Sequence, residues 1–256
     1  MNILLSNDDG VFAPGLTNLY KKLSVYHRVT VVAPLEERST TGHSLSLDAP
    51  LRVRKIEENI YGCSGYPADC VLMGLGHFCK NNKPDLVISG INRGANIGQD
   101  LYYSGTMAAA REASFHGVAS IAVSLAADLK SEDYQWEQAS DFILELIKEN
   151  IHEAIPELSL LNINVPNCER KQIKGVKYTS IGFRDYSEEV EERFDTRNRK
   201  YYWVAGNFRG HYQMGNSDGE AIDNNYIAFT PHQLVSGMER DFSQLAEIQK
   251  RLKDFK

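Results

Sequence analysis

Short apolar runs separated by amphipathic stretches fill the first two thirds of this chain, and few folds accept that alternation. Ile3–Ser6, Val29–Ala33, Asp85–Ser89, Ser120–Ser124 and Leu160–Val165 are each four to six residues long. Pro34 stops the second run and Pro166 the last. Between them, Leu16–Leu23, Asp69–Lys80, Ser104–His116 and Tyr134–Asn150 carry helical spacing. In Asp69–Lys80, Asp69 reads as the N-cap, and Val71, Leu72, Leu75, Phe78 and Cys79 share one face. Strands that are apolar at consecutive positions are covered on both faces. The βαβ rhythm therefore predicts an α/β fold, a doubly wound, mostly parallel, Rossmann-like sheet with right-handed crossovers.

After about residue 170 the rhythm changes. Tyr201–Ala205 and Tyr226–Thr230 read as strands between long polar stretches, which predicts a β-hairpin extension over about 171–230. Residues 237–255 read as a terminal amphipathic helix bearing Met238, Phe242, Leu245, Ile248 and Leu252, suited to docking on a partner. We read residues 1–256 as a single domain, with a core over about 1–170 plus 231–236.

Three of the predicted strands end in loops with unusual polar content, and parallel strands bring such loops to one sheet edge, where open α/β sheets place their ligands. The first loop is Asn7-Asp8-Asp9-Gly10. Two adjacent carboxylates suit a hard cation such as Mg²⁺ or Mn²⁺, although alone they are read more simply as an acidic helix cap. The second loop holds Ser39, Thr40, Thr41, Gly42, His43 and Ser44. The third, Ser89 to Asp100, has glycines at 90, 94 and 98, with Asn92 and Asn96 offering neutral amide oxygens. Ser104-Gly105-Thr106 then opens an alanine-rich helix. Ser104 by itself reads as an N-cap; after a loop rich in Gly and Asn, its hydroxyl and the free N–H groups read as a phosphate cradle.

Composition excludes several classes. A net charge of −6 argues against a nucleic-acid polymer as the main partner, although Arg197-Asn198-Arg199-Lys200 suits a phosphorylated small molecule. No apolar stretch approaches the ~20 residues that span a bilayer, so no membrane partner is expected. Ile3-Leu4-Leu5 follows Met1 with no basic leader, which predicts a cytoplasmic protein. Cys63, Cys70, Cys79 and Cys168 show no CxxC spacing and read as small buried hydrophobes.

Asn7-Asp8-Asp9-Gly10, Arg38-Ser39 leading into Ser44-Leu45-Ser46-Leu47, and the run from Ser89 to Gly98 followed by Tyr103-Ser104-Gly105-Thr106 resemble the survival protein SurE family. The resemblance continues through Arg193-Phe194-Asp195, Tyr201-Tyr202-Trp203 and Phe229-Thr230-Pro231. Thr196 and Asn198 stand where that family usually has Pro and Gly. The resemblance implies a metal-dependent 5′-nucleotidase acting on nucleoside 5′- and 3′-monophosphates, with short polyphosphate as a further substrate. It implies one divalent cation (Mg²⁺ or Mn²⁺) on Asp8, Asp9, Ser39 and Asn92, and phosphate on Asn96, Ser104, Gly105 and Thr106. It also implies a homodimer or homotetramer, often formed by exchange of C-terminal elements.

The residue types agree with hydrolysis by a metal-activated water, with Asp8, Asp9, Asn96 and Ser104 as the catalytic set. Ser39 and His43 do not make a persuasive nucleophile–base pair, because the same loop supplies an expected metal ligand. His43 is a candidate for protonating the leaving group. Three other readings compete. A receiver domain requires an aspartate after the third strand, where Ser89-Gly90 stands. A haloacid-dehalogenase-like phosphatase requires Asp-x-Asp rather than adjacent aspartates. A non-catalytic metal- or nucleotide-binding module remains the alternative to an enzyme.

Overall fold

The computed structural model describes residues 1–256 except 129, 130, 132, 188, 213, 238 and 256. In chain order the first half runs β1 (Asn2–Ser6), α1 (Pro14–Leu23), β2 (Arg28–Pro34), β3 (Val53–Glu57), β4 (Ile60–Cys63), α2 (Pro67–Met73), β5 (Leu86–Arg93), α3 (Gly105–Phe115) and β6 (Ser120–Ala126). There follow α4 (Trp136–Lys148), α5 (Ile151–Ala154), β7 (Ser159–Pro166), β8 (Val176–Tyr178), β9 (Arg184–Tyr186), β10 (Glu189–Phe194), β11 (Lys200–Ala205), β12 (Phe208–His211), α6 (Asp218–Asp223), β13 (Ile227–Gln233) and α7 (Ser243–Arg251).

Nine strands form one sheet in the order β3-β4-β2-β1-β5-β6-β7-β13-β8. The six from β4 to β7 are parallel; β3 and β13 join antiparallel to their inner neighbours. From β1 the chain moves outward to β2, then returns past β1 to lay down β5. The switch point of the sheet thus lies between β1 and β5, where crevices for ligands open.

Alternation along β1 sorts its side chains between two layers. Ile3 and Leu5 pack with Leu16, Leu19 and Leu23 of α1 and with Phe142, Ile143 and Leu146 of α4. Leu4 packs in the other layer with Cys70 and Val71 of α2 and Ala109 and Ala113 of α3. Close approach fixes α1: a Cβ on Gly15 would lie 2.1 Å from the Ile91 carbonyl oxygen, so only glycine seats this helix against the end of β5.

Several sequence expectations require correction. The helix expected at 69–80 ends at Met73 and continues as a π-helical turn over Gly74–Phe78. Asp69 is not its N-cap but its third residue, because Pro67 takes the first helical position. The Asp69 carboxylate accepts from the Tyr66 amide (2.8 Å) and the Ser46 amide (3.0 Å). Residues 90–93, read as loop, continue β5 through a one-residue bulge against β6: Ser89 pairs with Ala122 and Asn92 with Ser124. The β3–β4 hairpin was not foreseen. β8 and β13 hydrogen-bond into the main sheet, so the extension proper is the β9–β12 and β10–β11 ribbons.

The terminal helix covers 243–251 rather than 237–255, and Met238 lies outside the described residues. Its Leu245 and Ile248 are buried against this chain's own core. Asn198, at φ 57°, makes the left-handed residue of the β10–β11 turn that a glycine usually supplies. The basic cluster beside it is largely neutralised: Arg199 pairs with Asp195 (2.8 Å) and Lys200 with Glu192 (3.1 Å).

Asp218 ties the extension to the core. It is fully buried, and its carboxylate accepts from the amides of Gly98 (3.0 Å), Gly182 (2.9 Å) and Gly219 (2.8 Å). Replacing it with alanine orphans three buried donors. Asp218→Ala is expected to lower the free energy of unfolding by about 3 kcal/mol, read as a lower urea midpoint at unchanged slope.

Candidate active site

The β1–α1 turn is built by Asn7, a buried side chain that works as a backbone substitute. Its Nδ2 donates to the Gly10 carbonyl (2.9 Å) and its Oδ1 accepts from the Gly10 amide (3.2 Å). Gly10 sits at φ 103°, a conformation open to glycine. The turn is joined to the loop after β2 by Arg38 N–H to the Asp8 carbonyl (2.8 Å) and Val11 N–H to the Pro34 carbonyl (2.7 Å). The segment carrying Glu37 and Ser39 is thereby drawn beside the two aspartates.

Asp8 faces the α2/α3 layer. It is 4% exposed, and Thr106 Oγ1 donates to its Oδ1 at 2.5 Å. Burial raises the Asp8 carboxyl above its ordinary 3.8, while the Thr106 hydroxyl and the N–H groups of Thr106, Asp8 itself and Gly105 pull it back toward the charged form. Gly105 makes this approach possible, because a Cβ there would lie 2.7 Å from the Asp8 Cβ and 3.0 Å from Oδ2. The positive end of the α3 dipole is turned on a carboxylate of the protein itself.

Asp9 borders the α1 side and accepts from the Arg93 amide through Oδ2 (3.0 Å). Its carboxyl is pushed up to about 6, first by burial and next by the Asp8 charge, with Glu37 adding further repulsion. A positive charge beside the pair would favour the ionised form of Asp9 against the Asp8 charge.

Of the other expected site residues, Asn92 lies on the bulge of β5, a device that re-aims side chains. Its Nδ2 donates to the Gly94 carbonyl (2.8 Å), leaving the oxygen end of the amide for another partner. Ser39 is exposed and donates to Glu37 Oε1 (2.7 Å). Asn96 is the most firmly held. Its N–H donates to Asn164 Oδ1 (2.8 Å), its carbonyl accepts from Asn162 (2.8 Å) and Asn164 (3.0 Å), and its Nδ2 donates to Ser124 (2.9 Å). Ser104 is the N-cap of α3, its Oγ accepting from the Met107 amide (3.1 Å) and keeping its own proton to donate. The Thr106 hydroxyl is committed to Asp8.

His43 stands apart. Its Nε2 meets Glu112 at 2.7 Å and its Nδ1 meets Arg111 at 3.4 Å, and its ring stacks on Phe115 at 5.9 Å. Glu112 lies about 10 Å along α3 from Gly105 at 1.5 Å per residue. His43 therefore pins its loop to the helix and does not stand as an acid beside Asp8. The supports that the sequence reading missed are Glu37, Ser124, Asn162, Asn164 and Asp218. Asn162 and Asn164 did carry a signal, two amides on one face of an otherwise apolar strand.

The donors fit a hard divalent cation. They are oxygens only, two carboxylates beside an amide and a hydroxyl. Among the described residues no group of three or more His, Cys, Asp or Glu side chains is placed to hold a metal ion, so the two carboxylates would need the amide and hydroxyl oxygens beside them to complete a donor set.

The class these features define is a doubly wound α/β protein with carboxylate, amide and hydroxyl groups gathered beside a helix N-terminus at the switch point. The comparisons with known proteins agree. The family model described as Survival protein SurE matches residues 3–188. The protein named 5′-nucleotidase SurE of Geobacter sulfurreducens is 42% identical over 234 residues, 91% of this chain and 88% of that one. Its namesake in Thermosipho melanesiensis is 43% identical over 251 residues, 96% and 97% of the two chains. The crystal structure of the SurE protein from Aquifex aeolicus superposes with a TM-score of 0.82 at 38% identity, covering 98% of this chain and 99% of that one. This chain belongs to the survival protein SurE family.

Thr106→Val keeps the side-chain shape and removes the hydroxyl from a buried carboxylate. It is expected to cost the metal-free protein about 1–3 kcal/mol in urea unfolding. Thr106→Val and Gly105→Ala are both expected to shrink the rise in melting temperature that added Mg²⁺ or Mn²⁺ gives the wild type.

Proposed function

We propose that this protein hydrolyses nucleoside 5′-monophosphates, and also 3′-monophosphates and short polyphosphate, with one divalent cation, Mg²⁺ or Mn²⁺. The observation that carries the reading is the buried Asp8 carboxylate fixed on the N-terminus of α3, with Asp9 beside it at the switch point. Membership in a family whose curated relatives are named 5′-nucleotidase supports it.

In this reading Asp8, Asp9, Ser39 and Asn92 hold the cation. When bound, the cation neutralises phosphate charge and supplies an activated water as nucleophile. The free Asn96 amide proton and the Ser104 hydroxyl donate to the phosphate oxygens, where charge gathers as the bond to the leaving group breaks. Gly105 and Thr106 serve the phosphate at one remove, by keeping Asp8 aimed. Asp9, open to the cleft on the α1 side, orients the attacking water. The water oxygen bonds to phosphorus and gives up a proton, the P–O ester bond breaks, the leaving oxygen takes up a proton, and orthophosphate and a nucleoside leave.

We place the protein in the cytoplasm as a homo-oligomer. Among the described residues no helix is long and apolar enough to cross a membrane. The β10–β11 ribbon exposes Val190, Tyr202, Trp203 and Val204, the last at 91%. An exposed apolar ribbon of this kind suits an interface between copies, and it takes over the role that the sequence reading gave to the terminal helix.

Chelator-treated protein should release no phosphate from nucleoside 5′-monophosphates until Mn²⁺ or Mg²⁺ is added. Asp8→Asn should lower the restored rate by about 10²–10³-fold while circular dichroism stays unchanged. Equal release with and without chelator would overturn the reading.

A further inference from the structure

A cleft of about 210 Å³ opens beside Asp9 on the α1/α4 side of the sheet edge, and the chemistry described above uses only its Asp9 edge. Asp9, Gly15, Glu37, Arg93, Tyr134 and Trp136 line it. The Tyr134 and Trp136 rings lie nearly parallel, 13° apart with centroids at 5.2 Å, where the chain leaves β6 and enters α4. Both rings are half-buried and packed on the core beneath them, which makes the pair a rigid wall. Trp136 also lies against Gly15, whose Cβ position is 3.0 Å from its ring, so the wall and the start of α1 are in contact.

The cleft is smaller than the ~300–1,000 Å³ of sites that enclose a whole drug-sized ligand. It fits one planar ring system attached to a group reacting next door. Its polar members select the kind of ring. Glu37 and Asp9 accept hydrogen bonds, Arg93 donates them, and the aromatic wall offers a π-face. An acyl chain satisfies none of the polar groups; a nucleobase with an exocyclic amine satisfies both kinds.

We propose that Trp136, backed by Tyr134, is the platform on which the substrate's base stacks, and that Glu37 and Arg93 read its edge. This rests on the nucleotidase reading and deepens it. The phosphate lies toward α3 on the Asp8 side, the sugar passes Asp9, and the base crosses to the α1/α4 layer. The two faces of the sheet edge thereby divide the substrate between them. Trp136 is a specificity residue in this scheme and takes no part in bond breaking.

The test separates the base from the phosphate. In steady-state assays with Mn²⁺, Trp136→Ala is expected to lower kcat/KM for adenosine 5′-monophosphate, relative to kcat/KM for ribose 5-phosphate, by about tenfold, the scale on which removal of a stacking ring weakens base binding. The loss should fall on KM. Trp136→Phe, which keeps a ring, should restore most of the ratio. Trp136→Leu, which fills the space without a π-face, should behave as the alanine variant does and covers the case in which alanine fails to fold. Binding is read independently in the Trp203→Phe protein, where Trp136 is the single tryptophan. Adenosine 5′-monophosphate should quench its fluorescence with saturation, and ribose 5-phosphate should not. An unchanged ratio in folded Trp136→Leu, or equal quenching by both ligands, overturns the proposal. Saturable quenching by the nucleotide in a wild type that hydrolyses no ester would overturn the hydrolase reading and leave the base platform standing.

Discussion

The contact on which the site depends is the one between the Asp8 carboxylate and the first turn of α3. A buried carboxylate without partners loses its charge or costs several kcal/mol. Here the Thr106 hydroxyl and the amides of Gly105 and Thr106 supply compensation, and the missing Cβ of Gly105 lets the backbone come close enough to do so. The same turn of helix is satisfied by that carboxylate and by the Ser104 cap, so both partners need each other. Helix α3 is therefore positioned by chemistry as well as by the packing of Ala109 and Ala113 on the sheet.

Around that contact, polar groups hold the loops together with buried apolar anchors such as Val11, Ile97 and Leu101. Asn7 closes the first turn on itself, and backbone hydrogen bonds stitch it to the loop after β2. Asn162 and Asn164 reach from β7 to clamp the backbone of Asn96. Asp218 reaches from the base of the extension to Gly98. Buried polar groups that find partners favour one geometry, and the amides that hold Asn96 do so although Asn162 Oδ1 is left without a partner. That arrangement places an amide, a hydroxyl and two carboxylates at the switch point.

The parts of this molecule legible in the sequence are those where one physical pressure dominates. Strands β1, β5, β6 and β7 were plain because burial on both faces leaves only apolar choices. Asp8 and Asp9 stood out because two carboxylates at the end of such a strand have no packing rationale. The β3–β4 hairpin was hidden because β3 is an edge strand, with Arg54, Lys55 and Glu57 exposed, and it carries no apolar run. Asp69 was misplaced because an aspartate before an apolar run looks the same at the cap and at the third position; Pro67 decides between them. Asp218 was invisible because Ser217-Asp218 reads as an ordinary helix start, and Ser217 is in fact the cap. Its three glycine amides come from segments up to 120 residues away, which no local pattern reports.

The adjacency of the two aspartates has a geometric consequence that also separates this protein from phosphatases built on Asp-x-Asp. In an extended segment, residues i and i+2 share a face while i and i+1 point apart. An Asp-x-Asp pair sends both carboxylates to one side, where one attacks and the other serves as acid or base. In this chain, Leu4 and Asp8 belong to the α2/α3 side, and Ile3, Leu5 and Asp9 to the α1/α4 side. The pair straddles the sheet edge. One carboxylate is locked by a helix and has no freedom to attack; the other looks into an open cleft. Adjacent aspartates therefore give each carboxylate its own surroundings, one buried against a helix and one facing a cleft, a division that an Asp-x-Asp pair on a single face does not make.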